Sequence, residues 1–253
     1  MNTPSGRTIA IDGDDIYFDE WGSGPPLLLL HGLTGSCRDW QHVFDLSALG
    51  SSYRVIAPDA RGHGRSTNWS GAFTFRRCAL DVLALLDHLA IDRVRAVGMS
   101  LGAKTLLHVA TQAPSRIDRM IVVSATPRFP GATRALFRAA ASALHSPEEW
   151  AEMRAKHVRG DEQIAALWQL PAAFAADATD MTFTADRLAA ITAPTLVVAG
   201  DRDPLYPVEL AVELYRCMPH ASLWVVPNGG HGPIFNEQRD EFVRRALPFL
   251  SAR

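Results

Sequence analysis

Short runs of apolar residues, each bounded by turn-forming residues, recur along the 253-residue chain and limit the folds that it can adopt. These runs lie at residues 26–30, 53–57, 94–99, 117–124, 195–199 and 222–226. Strands that are apolar along their whole length are buried on both faces, which is typical of a mainly parallel sheet. Two alternating segments, 9–12 and 16–21, precede them and predict an opening antiparallel hairpin.

Segments with helical periodicity separate these strands, and the clearest of them covers residues 78–89. Its expected buried face carries Leu80, Leu83, Leu86 and Leu89, and Asp81 and His88 are expected to lie elsewhere. Strands that alternate with helices predict an α/β fold, in which helices cover both faces of the sheet.

Residues 127–187 interrupt this alternation, because they are rich in alanine and contain no convincing strand. The segment also carries the aromatic residues Phe129, Phe137, Trp150, Trp168, Phe174 and Phe183, which are expected to pack as core residues. We interpret residues 127–187 as a helical lid inserted after the strand that ends at Ser124. The core domain then consists of residues 1–126 and 188–253.

The pentapeptide Gly98-Met99-Ser100-Leu101-Gly102 follows one predicted strand and opens a predicted helix. A serine on such a sharp strand-to-helix turn is exposed as a nucleophile, and the small glycines let strand and helix close around it. The helix also directs free N–H groups toward the point where an oxyanion would form. Taken alone, the motif is equally compatible with a serine that merely caps a helix.

Two other strand ends carry residues that complete this pattern. His31-Gly32-Leu33 follows the strand at 26–30, where the Leu33 N–H is expected to form an oxyanion hole with the Leu101 N–H; His31 itself is expected to hold the loop. Asp201 and Asp203 follow the strand at 195–199, and His231 follows the strand at 222–226. A serine, then a carboxylate, then a histidine is a chain order found for nucleophilic catalysis on α/β sheets.

On these residues, and on the turn Pro58-Asp59-Ala60-Arg61-Gly62-His63-Gly64-Arg65-Ser66, the chain resembles the α/β-hydrolase superfamily over nearly its whole length. The resemblance implies an eight-stranded sheet with a lid, a triad of Ser100, His231 and Asp203, and no cofactor. Residues 81–102 are most similar to 3-oxoadipate enol-lactonases and small carboxylesterases. Ala103-Lys104 departs from many relatives, which carry a second glycine after the motif.

The function expected from this resemblance is hydrolysis of carboxylic esters through an acyl-enzyme. Hydrolysis of lactones, hydrolysis of carbon–carbon bonds and perhydrolysis remain open, as does a ligand receptor that retains the fold. Haloalkane dehalogenation is disfavoured, since it needs a carboxylate at position 100. Short- to medium-chain neutral esters are favoured, because the lid arginines available to bind a charged substrate usually face water. These are Arg128, Arg134, Arg138, Arg154 and Arg159.

Composition excludes several other functions. A net charge of −2 and the absence of a basic stripe argue against nucleic acid as a partner. Cys37, Cys78 and Cys217 have no metal-ligand spacing, so that neither a disulfide framework nor a metal site is predicted. The polar N-terminus and the short apolar runs predict a cytoplasmic protein that does not associate with a membrane. The substrate-binding residues and the oligomeric state are left open.

The remaining polar residues of interest are expected to have structural roles. The turn with Asp59, Arg61, His63 and Arg65 is interpreted as scaffold. Surface or packing roles are expected for His42, His88, His108, His145, His157 and His220.

Overall fold

The structure, a computed structural model, describes residues 4–252, so that residues 1 and 253, the outer bounds of the predicted core domain, lie outside it. Within that range the strands are β1 Ser5–Ile11, β2 Asp14–Trp21, β3 Pro26–Leu30, β4 Arg54–Pro58, β5 Val94–Met99, β6 Ile117–Val123, β7 Thr195–Gly200 and β8 Ala221–Val226. All the predicted strands are present, most of them with ends shifted by one to four residues.

The strands form one sheet, which has eight strands in the described residues, in the order β1-β2-β4-β3-β5-β6-β7-β8. β1 pairs with β2, and β2 with β4, in antiparallel fashion, and the other neighbours are parallel. This confirms the predicted fold class. The parallel part of the sheet places the carboxyl ends of β3, β5, β6, β7 and β8 along one edge, where open α/β sheets bind ligands.

Helices cover both faces of the sheet. They are α1 Leu46–Leu49, α2 Phe75–His88, α3 Leu101–Gln112, α4 Gly131–Ala141, α5 Pro147–Lys156, α6 Asp161–Ala176, α7 Ala185–Ala189, α8 Val208–Cys217 and α9 Arg239–Ser251. Strand β3 shows why its run is continuously apolar. Leu28 and Leu30 pack into the core beneath α2, α3 and α8, whereas Leu27 and Leu29 pack into the core beneath α9 on the opposite face.

The start and the buried face of helix α2 differ from the sequence prediction. It begins three residues before the predicted helix, and Leu80, expected on the buried face, is 45% exposed. Asp81, expected elsewhere, is buried because Arg61 holds both its carboxylate oxygens, with N–O distances of 2.7 Å and 2.6 Å. Arg61 also contacts Asp14 of β2 at 3.0 Å, so the turn after β4 is scaffold, as expected.

The segment 127–187 contains α4, α5, α6 and the first part of α7. Its two ends meet, since the Phe183 N–H donates to the Pro127 carbonyl at 3.0 Å and the backbones of Arg128 and Thr182 form an isolated antiparallel β-bridge. The predicted boundary at residue 187 lies inside α7. Four of its aromatic residues join the core beneath α2 and α3, namely Phe129, Phe137, Phe174 and Phe183. The division into core and lid stays a prediction.

Candidate active site

Ser100 occupies the tight turn between β5 and α3. Its backbone has φ 49° and ψ −101°, a conformation that a non-glycine residue adopts only when the surrounding structure enforces it. The flanking glycines permit the turn: a Cβ on Gly98 would lie 2.6 Å from the Gly102 carbonyl carbon, and a Cβ on Gly102 would lie 2.1 Å from the Leu30 oxygen. The turn therefore projects the serine side chain from the edge of the sheet.

His231 and Asp203 lie beside Ser100 in one hydrogen-bonded chain. The Ser100 hydroxyl donates to His231 Nε2 at 2.8 Å, and His231 Nδ1 donates to Asp203 Oδ2 at 2.9 Å. The second oxygen of Asp203 accepts the N–H groups of Leu205 (2.8 Å) and Tyr206 (3.1 Å), which fixes the carboxylate. Asp201, the other candidate acid, is exposed, and the carboxylate that pairs with His231 is that of Asp203.

A residue that the sequence analysis missed holds the histidine loop. Ser124 follows β6, has φ 50°, and donates its hydroxyl to the His231 carbonyl at 2.6 Å. The Ser124 N–H donates to Val198 of β7 at 2.9 Å, so the histidine loop is tied to the edge of the sheet. The feature of the sequence that could have indicated this role is the position of Ser124 at the end of a predicted strand.

The two predicted oxyanion donors lie on adjacent segments that are bonded together. The Gly102 N–H of α3 donates to the His31 carbonyl at 3.0 Å, which fixes the loop after β3 against the serine turn. Among the hydrogen bonds of residues 4–252, none uses the N–H of Leu33 or Leu101, so both are free for a ligand. His31 Nε2 accepts the Ala60 N–H at 3.0 Å, so His31 holds the loop, as expected.

A cavity of about 150 Å³ opens onto Ser100. Its lining consists of Gly32, Leu33, Phe75, Met99, Ser100, Leu101, Lys104, Phe137, Phe174, Leu205, Tyr206 and His231. Two of these, Phe137 and Phe174, come from α4 and α6 of the predicted lid. A cavity of this volume is about the size that holds one benzene molecule. The space beside Ser100 thus suits a small group with a largely apolar surface.

Lys104 is the cation of this cavity, and the sequence analysis gave it no role. It lies one helical turn after Ser100, is 3% exposed, and donates from Nζ to the Tyr206 hydroxyl at 2.9 Å and to Ser100 Oγ at 3.4 Å. Burial lowers the pKa of Lys104 to about 7, against the opposing effect of Asp203. The signal in the sequence was a lysine among the apolar residues of α3.

The lid arginines, by contrast, do not line this cavity. Arg128 pairs with Glu213, Arg154 pairs with Asp161, and Arg134 and Arg159 donate to backbone carbonyls, while Arg138 is exposed. The expectation that they stay out of the pocket is met. The pocket nevertheless contains a cation, because Lys104 enters it from helix α3, and the preference for neutral esters stays a prediction.

Residues 4–252 contain no group of three or more histidine, cysteine or acidic side chains placed to hold a metal ion. In the same part of the chain, no helix is both long and apolar enough to cross a membrane.

Known proteins share this architecture. The sequence model of the alpha/beta hydrolase family matches residues 27–245. The chain is 27% identical to the sn-1-specific diacylglycerol lipase of Mus musculus (90% of this chain, 81% of the lipase) and 29% identical to the non-heme haloperoxidase of Rhodococcus erythropolis (88% and 91%). The enol-lactonase of Burkholderia xenovorans LB400 superposes with a TM-score of 0.76, covering 97% of this chain and 100% of the lactonase, at 23% identity. The chain belongs to the alpha/beta hydrolase family.

Proposed function

We propose that this hydrolase cleaves carboxylic esters through an acyl-enzyme on Ser100. The observation that carries the proposal is the continuous chain from Ser100 Oγ through His231 to Asp203, at 2.8 Å and 2.9 Å, beside two unused backbone donors. The lipase among its relatives, which acts on an ester, is consistent with this choice.

Each residue has a defined part in the proposed reaction. His231 Nε2 takes the hydroxyl proton as Ser100 attacks the ester carbonyl, and Asp203 holds the imidazole in the required tautomer and stabilises its cation. The N–H groups of Leu33 and Leu101 bind the oxyanion, each contributing about 3 kcal/mol to transition-state stabilisation. His231 then protonates the leaving alcohol and activates the water that releases the acid.

The cavity limits the acyl group. Its volume of about 150 Å³ and its aromatic walls from Phe75, Phe137 and Phe174 favour a short acyl chain over a long lipid chain.

The direct test combines labelling with mutation. A fluorophosphonate is expected to add to Ser100, located by peptide mass spectrometry, and Ser100→Ala is expected to lower ester turnover on the order of 10^6-fold. Ser142→Ala, at an exposed serine after α4, is the matched control and is expected to keep wild-type turnover. Labelling elsewhere, or full turnover by Ser100→Ala, would refute the proposal.

The same material separates the alternative functions. A receptor that retains the fold would turn over none of the substrates, whereas lactonase, carbon–carbon hydrolase or perhydrolase activity would show as a preference within a panel. That panel compares short methyl esters with γ-lactones, a vinylogous 1,5-diketone, and acetate plus hydrogen peroxide. We expect the methyl esters to give the highest kcat/KM.

A further inference from the structure

Lys104 is a buried cation for which the protein supplies no counter-charge. In the part of the chain that the structure describes, no carboxylate oxygen lies within 4.0 Å of its Nζ, although buried lysines in proteins are almost always paired. Asp203 faces it, but both oxygens of that carboxylate are already bonded to His231 and to the loop at residues 205–206. The charge is thus left for a ligand to satisfy.

The surroundings of the ammonium are built to hold it while leaving it free to bind. Its nitrogen lies 4.9–5.6 Å from the ring centroids of Phe75, Phe129 and Tyr206, an arrangement in which the faces of aromatic rings stabilise a cation. Two of its three protons are directed to the hydroxyls of Tyr206 and Ser100. Because Lys104 also lines the cavity that contains Ser100, the third proton is available to a bound molecule.

We propose that Lys104, supported by Tyr206, binds a carboxylate on the acyl portion of the substrate, and that the preferred substrates are half-esters of short dicarboxylic acids. This inference rests on the proposed ester hydrolysis at Ser100 and names its substrate class. It gives Lys104 a role in specificity that is separate from the chemistry of Ser100, His231 and Asp203.

The distance between the two groups and the size of the cavity limit the length of the acid. Nζ lies 3.4 Å from Ser100 Oγ, and a charge-assisted hydrogen bond adds about 2.8 Å, so that the carboxylate lies within about 6 Å of Ser100 Oγ. Malonyl and succinyl groups place a carboxylate within this distance of the serine. The cavity of about 150 Å³ disfavours the longer adipyl group.

Binding of the anion requires a protonated lysine, which makes the reaction depend on pH. The titratable groups beside Lys104 are Tyr206 and Asp203, and His231 lines the same cavity. With a pKa of about 7 in the free protein, Lys104 loses its proton above that pH. The kcat/KM for a half-ester is therefore expected to fall about tenfold per pH unit above pH 7, since kcat/KM follows ionisations of the free enzyme.

The experiment compares matched substrates. Monomethyl and dimethyl esters of malonate, succinate, glutarate and adipate differ within each pair in whether the second carboxyl group is a free carboxylate or a methyl ester, and methanol release gives kcat/KM for both. We expect the monoester-to-diester ratio in the wild type to be largest for malonate and succinate. Lys104→Met is expected to lower that ratio by about 10- to 100-fold, the range for loss of a hydrogen bond to a charged group.

The chain offers a matched control, because its only other lysine is Lys156. Lys156 lies at the end of α5, outside the cavity that contains Ser100, and pairs with Asp39 at 3.5 Å. Lys156→Met removes the same charge and is expected to leave the ratio unchanged. Equal ratios in wild type and Lys104→Met would overturn the inference.

A second measurement needs no variant and so does not depend on whether Lys104→Met folds. The wild-type pH profiles for monomethyl and dimethyl succinate are expected to diverge above pH 7, where only the monoester loses kcat/KM. Parallel profiles would also overturn the inference.

The failure of this inference can be distinguished from the failure of the proposed function. If Ser100→Ala hydrolyses both esters as well as the wild type, the proposed function itself fails. If hydrolysis requires Ser100 but is the same with and without Lys104, only the substrate class fails.

Discussion

At the scale of single residues, Asp201 and Asp203 differ only in what they touch. Asp203 holds His231 and two backbone N–H groups, whereas Asp201 is exposed. Asp203→Asn is expected to lower kcat about 10^4-fold, because the amide favours the wrong imidazole tautomer. Asp201→Asn, the same change two residues away, is expected to cost less than threefold. Steady-state kinetics on both folded variants decides, and a larger loss at 201 would reverse the assignment.

Sequence reasoning predicted Ser100, Asp203 and His231 because each follows a strand end and is framed by glycine or by a tight turn, and the structure brings the three side chains together. It gave no role to Lys104, although residues four apart on a helix lie on the same side, so that Lys104 stands above Ser100. The missing information was which face of α3 borders the cavity. That depends on Tyr206 and on Phe137 and Phe174 of the predicted lid, which are distant in sequence.

At the scale of elements, α2 also depends on residues that are distant in sequence. The apolar period suggested its existence, but its start is set by Thr74, whose hydroxyl accepts the Arg77 N–H at 3.0 Å. Asp180, about one hundred residues away, accepts the N–H groups of Phe75 and Arg76 at 2.5 Å and 3.1 Å. A tertiary cap of this kind is not encoded in the local pattern.

The contact between β3 and α3 gives a test of the serine turn. Gly102→Ala places a Cβ against the Leu30 backbone, 2.1 Å from its oxygen, so the turn and the loop at 31–33 must separate. Overpacking of this kind is expected to cost about 1–3 kcal/mol in the free energy of unfolding and to lower kcat as well. Urea denaturation and ester kinetics measure the two effects.

The control for this change is Gly131→Ala. Gly131 opens α4, and a Cβ built there meets no atom within 4 Å. Alanine at this site is expected to leave activity unchanged and to stabilise the protein slightly, by less than about 1 kcal/mol. If Gly102→Ala behaved like Gly131→Ala, the close approach of strand and helix would not be required.

At the scale of the whole molecule, the alternation of strands and helices in the sequence was sufficient to predict a sheet with helices on both faces. It did not reveal how many polar groups the fold buries. His63, His108 and His157 are 1% exposed or less, and burial lowers the pKa of each of them. His157 also links the segment 127–187 to the loops after β3 and β4, since it accepts the Gly64 N–H at 2.9 Å and donates to the Thr34 carbonyl at 3.1 Å.

Because of these histidines, we expect the free energy of unfolding to decrease in acid. An unfolded histidine takes up its proton near pH 6.5, whereas folded His108 does so only near its lowered pKa of about 4. Between these values the unfolded state binds more protons, so the free energy of unfolding falls as the pH is lowered, by up to about 1.4 kcal/mol per pH unit for each histidine. The three together are expected to make stability fall as the pH is lowered below 6.5.

His108 offers the sharpest test, because its ring is buried against Phe183 at 4.7 Å and its pKa is lowered to about 4 although Asp180 Oδ1 lies 3.7 Å from Nε2. His108→Gln removes the titration, so the slope of unfolding free energy against pH is expected to decrease, by up to about 1.4 kcal/mol per pH unit. The comparison rests on slopes, which makes it independent of any change in stability at neutral pH. His42→Gln, at an exposed histidine, is expected to keep the wild-type slope. Identical slopes in all three proteins, measured by urea denaturation from pH 6.5 to 4.5, would show that folding does not lower the pKa of His108.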